Sequence, residues 1–186
     1  WVLAQTFGGS QGEWRSDRPW EVGRALAPGG DGESFWALRY NEPVLELWGT
    51  DGVLRETFQV GEGWFEPWEV HNPQAPFFEP PDPNMSGLWE DAEGRVWILA
   101  LVPAADWRPL GEEGRRRDFD LDLINELHDA FIEVVDPARG GEVVARARLP
   151  RRTFATGVPG WVFSHHHRAD GELVLQPLRL SLPPGT

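Results

Sequence analysis

Three adjacent histidines lie in the segment SHHHRADGE, which begins at residue 164. Alternate side chains of a strand face opposite sides, so His165 and His167 would share one face. Neutral imidazole is a common metal ligand, and two such residues on one strand could bind a zinc ion. A third ligand would come from His71, His128 or a carboxylate. The alternative is a strand that leaves the core and enters a tight turn, with its histidines partly solvated.

A second candidate metal site lies in the segment DFDLDLINE, at residues 118–126. Calcium binds six to eight oxygen atoms, and this segment brings several carboxylate and amide oxygens together. The calcium loop of an EF-hand requires a glycine where this chain has Leu123, so the alternative is a solvated acidic strand or loop. The candidate ligands are Asp118, Asp120, Asp122, Asn125 and Glu126.

Tryptophan is abundant, with eleven residues in the chain. An exposed aromatic ring offers a large contact area at low entropic cost, so it can stack on a sugar or clamp a peptide. The alternative is that loop tryptophans fill the ends of sheets. The candidate binding residues, which lie in loops, are Trp14, Trp20, Trp64, Trp68 and Trp107. Those inside predicted strands, which we expect in the core, are Trp36, Trp48, Trp89 and Trp97.

Sequence motifs for catalysis are scarce. The chain has no cysteine and no lysine, and it contains no P-loop. With 30 acidic residues, a pair of carboxylates for glycoside hydrolysis, drawn from Glu66, Glu90 and Asp91, can arise by chance. We therefore predict a non-enzymatic protein. The alternative is a metal-dependent hydrolase or lyase that uses His165, His167 and an acid, because an open zinc position activates water.

Charge and length limit the classes of partner. The 186-residue chain has a formal net charge of −13, which repels nucleic-acid phosphates and anionic lipids. No apolar run approaches the length of a transmembrane helix. We therefore expect that the chain does not bind nucleic acid and has no transmembrane segment. Since the chain begins at Trp1 within an apolar run, we expect a fragment or a processed form of a longer protein.

The elements that must position these residues are β-hairpins. Alternating apolar runs flank turns that contain Asp or Glu with Gly, and such turns provide the positive φ that short hairpins need. The sequence therefore predicts an antiparallel all-β protein with about ten strands. The five turns are Asp31-Gly32, Asp51-Gly52, Glu93-Gly94, Asp136 to Gly141 and Asp170-Gly171.

Two long segments separate the hairpins. Residues 67–87 contain six prolines, so they cannot form a central strand. Residues 103–130 read as an insertion, whose second half predicts a short helix with Leu123, Ile124 and Leu127 on one face. Long loops in compact domains are often functional, so both segments are candidate locations for a site.

The first third of the chain contains three successive patterns. They are a Gly-rich lead-in, a DG…W turn and a pair of strands with the pattern N…V…W…DG.L…F. This succession resembles a blade of the six-bladed β-propellers of the NHL/TolB-like kind. The matching residues are Phe7, Gly8, Gly12, Glu13, Trp14, Pro19, Asp31, Gly32, Trp36, Asn41, Val44, Trp48, Asp51, Gly52, Leu54 and Phe58.

The resemblance implies a single propeller-like domain over 1–186 with about three blades. Their approximate limits are 1–66, 84–150 with the insertion 103–130, and 158–183. Propellers have four to eight blades, so the exposed sheet faces and edges would need cover from missing sequence, another chain or the long loops.

The resemblance further implies an extracytoplasmic recognition or structural domain that binds a protein or glycan through its loops. A self-assembling oligomer or filament subunit is a third possibility. No cofactor is expected beyond a calcium or zinc ion.

Overall fold

The computed structural model describes residues 23–69, 75–117, 121–150, 153–156, 158–168 and 170–183. Within these ranges, eleven strands form three antiparallel sheets, accompanied by short helices. The predicted antiparallel all-β class is therefore confirmed. No helix in the described ranges is long and apolar enough to cross a membrane.

The first sheet is a meander of four strands, in which each strand pairs with the next along the chain. The strands are β1 (Arg24–Pro28), β2 (Ser34–Arg39), β3 (Val44–Gly49) and β4 (Leu54–Gln59). The inner strand β2 is largely buried, whereas the edge strand β4 exposes every residue except Phe58. The sheet therefore buries its inner strands, whereas β4 contributes Phe58 to the core and exposes its other residues.

The second sheet has the same order. Its strands are β5 (Asn84–Glu90), β6 (Val96–Pro103), β7 (His128–Asp136) and β8 (Glu142–Leu149). All residues of β6 except the last are buried. Such burial on both faces explains why this strand is a continuous apolar run and does not alternate.

The third sheet has three strands. These are β9 (Thr153–Ala155), β10 (Trp161–His167) and β11 (Leu173–Arg179), with β10 in the middle. The predicted strand through the three histidines is therefore present as β10, and its partner β11 forms one edge of the sheet.

All five predicted hairpins are present in the structure. Their aspartates act as local caps: the side chain of Asp31, for example, accepts hydrogen bonds from the Glu33 backbone at 2.9 Å and the Ser34 hydroxyl at 2.7 Å. Gly32 has a φ of +69°, a conformation that L-residues rarely adopt. The residues of each turn therefore determine its conformation, so the hairpins could be predicted from short stretches of sequence.

The main core lies between the first and second sheets. It unites Leu38 and Leu45 with Met85 and Ile98, all fully buried. Full burial of each such side chain contributes roughly 1.5–3 kcal/mol. On its other face, the second sheet packs against Val162 of β10. The second sheet is therefore the middle layer of the molecule.

The insertion between β6 and β7 has a small core of its own. It contains α2 (Gly111–Arg115) and α3 (Leu121–Leu127), and α2 contacts α1 (Ala75–Phe78), which precedes β5. The predicted short helix is confirmed by α3, whose Leu123, Ile124 and Leu127 are buried. Because this cluster is separate from the main core, the insertion is a satellite of the second sheet.

Candidate functional site

Two of the candidate tryptophans, Trp64 and Trp68, line one open cleft of about 560 Å³. The cleft lies in the long connection between β4 and β5. The other lining residues are Gly63, Phe65, Glu66, Pro67, Pro80, Pro81, Asp82, Pro83 and, at the end of β6, Pro103. The proline-rich segment, which was predicted not to form a central strand, therefore forms one wall of this site, which we call the Trp64–Trp68 cleft. Its last residues, from Asn84, belong to β5, which is an edge strand.

The ring of Trp64 is half-buried and held from several sides. Its Nε1 donates a hydrogen bond of 2.8 Å to Oε2 of Glu133. Its centroid lies 4.5 Å from that of Phe131 and 5.7 Å from that of Phe65, the latter contact being edge-to-face. Edge-to-face and offset aromatic pairs are favourable geometries. The orientation of Trp64 is therefore set by the second sheet.

Glu133 is the fully buried anchor of this arrangement. It lies in β7 and accepts three hydrogen bonds of 2.8 Å, from Trp64, from the Gly61 backbone and from Nε of Arg146. A buried carboxylate is costly unless it is paired and hydrogen-bonded, and here both conditions are met. Because Gly61 and Trp64 follow the first sheet, Glu133 ties that loop to the second sheet.

Trp68 is fixed at its ring and at its backbone. The indole Nε1 donates to the carbonyl oxygen of Pro83 at 2.6 Å. The Trp68 carbonyl accepts from Nδ2 of the buried Asn41 at 2.9 Å, and the Trp68 N–H donates to the Asn41 carbonyl at 3.3 Å. The two tryptophans of the cleft are therefore positioned in advance of any ligand.

Hydrogen bonds from indole to carboxylate recur through the molecule. A bond to an ionised acceptor is about twice as strong as a neutral one, so it can secure a large ring whose N–H would otherwise be buried without a partner. In the part of the chain that the structure describes, four such pairs are Trp36 with Glu90 at 2.6 Å, Trp48 with Glu46 at 2.9 Å, Trp64 with Glu133 at 2.8 Å and Trp97 with Asp91 at 2.8 Å.

The strand tryptophans largely occupy the core, as expected. Trp36, Trp89 and Trp97 are buried, and Trp89 stacks on Trp97 with centroids 5.6 Å apart. Trp48 is half-buried. These rings therefore contribute to packing between sheets, in contrast to the two rings in the cleft.

A buried ion-pair cluster stabilises the first sheet. Burial alone raises the pKa of Glu46, but hydrogen bonds from Trp48 and Arg39 and the positive charge of Arg24 outweigh it. The pKa of Glu46 therefore lies below its ordinary value of 4.5. The salt bridge to Arg39 measures 2.9 Å and that to Arg24 measures 3.5 Å.

The histidine strand faces the insertion. The rings of Phe154 and Phe163 stack at 5.2 Å, and His165, which is 2% exposed, lies 5.3 Å from Phe154. His167 is exposed, and its Nδ1 lies 3.0 Å from Oδ2 of Asp122 in α3. The structure thus joins one residue from each of the two predicted metal sites.

Nothing further completes a metal site in the ranges that the structure describes. There, no group of three or more His, Asp or Glu residues is arranged to hold a metal ion. Asp118, Asp120 and His71 lie outside the described residues, while His128 Nδ1 lies 3.2 Å from a backbone carbonyl in α3. Zinc and calcium binding therefore stay predictions, which elemental analysis of untagged protein would test.

The other three candidate tryptophans are not among the described residues that line the cleft. Trp107 packs against Phe77, Leu123 and Leu127 in the core of the insertion. Trp14 and Trp20 lie outside the described residues. The structure therefore brings together two of the five predicted binding residues.

Sequence reasoning missed the residues that orient the cleft. Glu133 had the clearest signal in the sequence, because it is a lone carboxylate within the apolar strand segment FIEVV. An acidic residue in a strand of that kind is either exposed at an edge or buried with partners. Asn41 and Pro83 gave no such signal, because each acts through a contact distant in sequence.

Comparison with known proteins yields a likeness of fold. No protein-family model matches the chain, and no curated protein matches it. A crystal structure of a member of the DUF4221 family from Bacteroides vulgatus is similar, with a TM-score of 0.51 and 8% sequence identity. The match covers 85% of this chain and 46% of that one, so the chain spans about half the length of that protein.

Proposed function

We propose that this chain is a non-enzymatic recognition domain that binds a protein or glycan partner through the Trp64–Trp68 cleft. The observation that carries the proposal is the pair of half-buried indole rings at one open cleft. Clefts lined by aromatic and apolar side chains with a few polar groups are typical of binding sites.

The fixed orientation of the rings supports this function. Binding is weakened by the entropy lost when interface side chains become ordered, at about 0.5–1.5 kcal/mol for each flexible side chain. Trp64 and Trp68 are already held by hydrogen bonds to Glu133 and Pro83. A partner that stacks on them would therefore lose little side-chain entropy at these two positions.

We further propose that the scaffold is a set of propeller blades of the NHL/TolB-like kind and that the domain acts outside the cytoplasm. Each sheet is a meander in chain order, and the first strand of the second sheet packs beside the first strands of both other sheets. Radially repeated sheets are expected to contact one another in this way. The location is proposed from the sequence resemblance alone.

A panel of peptides and glycans on an array tests the recognition function. We expect wild-type protein to bind a subset, and Trp68→Ala to lose at least tenfold in affinity for it. The control is Val53→Ala, since Val53 is 58% exposed immediately before β4, at the end of that strand remote from the cleft. Equal binding by wild-type and Trp68→Ala protein would contradict the proposal.

One surface favours a second candidate function, assembly. On one face of the third sheet, Trp161, Leu173 and Leu175 are between 40% and 59% exposed. Leu173 and Leu175 pair with His167 and His165, which places all these side chains on the same face. Exposed apolar groups clustered on one face are typical of an interaction surface.

Sedimentation analysis of wild-type protein and of Leu175→Gln tests this assembly. We expect the wild-type mass to rise with concentration and the variant to remain a monomer. A monomeric wild-type protein at high concentration would exclude self-assembly through this face.

A further inference from the structure

We propose that the Trp64–Trp68 cleft receives an arginine or lysine side chain carried by a peptide segment of a partner protein. This inference rests on the proposed recognition function and narrows its partner from a protein or glycan to a cationic peptide. It follows from the hydrogen-bonding groups that the cleft offers and from its charge.

Backbone donors are scarce in the cleft. Five of the eleven described lining residues are prolines, which have no N–H. Trp64 and Phe65 donate their N–H groups to the Gly61 carbonyl, and Trp68 donates its own to the Asn41 carbonyl. A ligand therefore finds few backbone N–H groups to which it can present an acceptor.

The side-chain donors are also engaged. The indole N–H of Trp64 is bonded to Glu133 at 2.8 Å, and that of Trp68 is bonded to the Pro83 carbonyl at 2.6 Å. No lysine or arginine belongs to the described lining. The polar edges of both rings are therefore turned into the protein. One side of the Trp64 ring also packs against Phe131 at 4.5 Å, so a ligand can meet only the remaining π surface of the two rings.

The charged side chains of the cleft are negative. The charged side chains of the described lining are Glu66 and Asp82, both acidic, and Glu66 is exposed. The whole chain adds a net charge of −13, which attracts cations to an open cleft and repels anions. The site is thus rich in acceptors, poor in donors and negative.

Ligand chemistry can be matched against these features. Arginine and lysine side chains carry donors and no acceptor, and a cation over the face of a tryptophan is attracted by the ring quadrupole. A sugar carries hydroxyl and ring oxygens that also need donors, which this cleft supplies poorly. A carboxylate or phosphate ligand would meet both the shortage of donors and the negative charge.

Calorimetry with two blocked pentapeptides tests the inference. One is Gly-Gly-Arg-Gly-Gly, and the other has citrulline in place of arginine, which keeps the shape and removes the charge. We expect the arginine peptide to bind at least tenfold more tightly. Glu66→Gln should weaken arginine binding at least threefold, whereas the matched control Glu56→Gln, an exposed acid on β4, should leave it unchanged.

The competing result separates this inference from the broader function. Equal affinity for both peptides, or loss of binding in Glu56→Gln as large as in Glu66→Gln, would overturn the cationic assignment. Binding of a neutral oligosaccharide that Trp68→Ala abolishes, without arginine binding, would overturn it while leaving the recognition function intact. If Trp68→Ala alters the binding of no peptide or oligosaccharide, both proposals fail.

Discussion

Replacing Glu133 by glutamine tests the anchor of the cleft directly. The carboxylate accepts from the Gly61 backbone, Trp64 and Arg146, each at 2.8 Å, and it is fully buried. Glutamine has one acceptor oxygen and one NH₂ group in the same space. Whichever way the amide is oriented, at least one of the three donors then faces another donor.

The expected loss can be worked from these contacts. A hydrogen bond to a charged group contributes about 1.5–3 kcal/mol, so one broken bond costs at least the lower figure. Loss of the charge also weakens the pair with Arg146, whose side chain is 40% exposed and whose contribution is reduced by solvent screening. We expect Glu133→Gln to lower the free energy of unfolding by about 3 kcal/mol. For a chain of this size, that loss lowers Tm by roughly 6–12 °C.

Urea unfolding followed by circular dichroism measures this loss. The control is Glu142→Gln, because Glu142 is exposed and lies 3.8 Å from Arg139, so its loss should stay within about 0.5 kcal/mol. A loss below about 1 kcal/mol for Glu133→Gln, or equal losses in both variants, would refute the anchoring role.

Three further predictions concern a pH dependence, a turn and the insertion. Burial raises the pKa of Asp91, but hydrogen bonds from Trp97 and Arg95 hold it below its ordinary value of 3.8. Its stabilising contribution is therefore present above that pH and is lost as the pH falls through the lower folded-state pKa. The urea midpoint of Asp91→Asn should lie well below that of wild type at pH 7, and the difference should narrow progressively as the pH falls below 3.8; a constant difference would contradict this. Gly32→Ala should destabilise the fold by about 1–2 kcal/mol because of the positive φ, and Gly32→Asn by less; thermal melts that show no difference would contradict the strain. Leu127→Ala should destabilise the core of the insertion by about 2–4 kcal/mol and should therefore speed tryptic cleavage within the insertion. An unchanged rate of cleavage would show that this core does not stabilise the insertion.

Local chemistry explains what the sequence predicts well. Each hairpin depends on a few adjacent residues, such as Asp31, which caps the turn, and Gly32, which has the positive φ. The buried face of α3 likewise follows from the spacing of Leu123 and Leu127. Elements of this kind could be predicted because the residues that determine them lie within a few positions of one another in the sequence.

Long-range contacts explain what the sequence predicts poorly. Trp64 and Glu133 are 69 residues apart, so their bond depends on how the first and second sheets pack. The same holds for His167 and Asp122, which are 45 residues apart: alternation predicted the face of the histidine, but not the helix that meets it. The residue types at the cleft could be predicted, whereas their partners depended on tertiary packing.

The most direct test of the central claim is ¹⁹F NMR of protein labelled with 5-fluorotryptophan, with each resonance assigned by a single Trp→Phe substitution. The labelled protein is titrated with the blocked arginine pentapeptide and then with neutral oligosaccharides. We expect a ligand that binds in the cleft to shift the Trp64 and Trp68 resonances, while those of the buried Trp36, Trp89 and Trp97 stay in place. Shifts confined to other tryptophans, or no shift with any ligand, would contradict it.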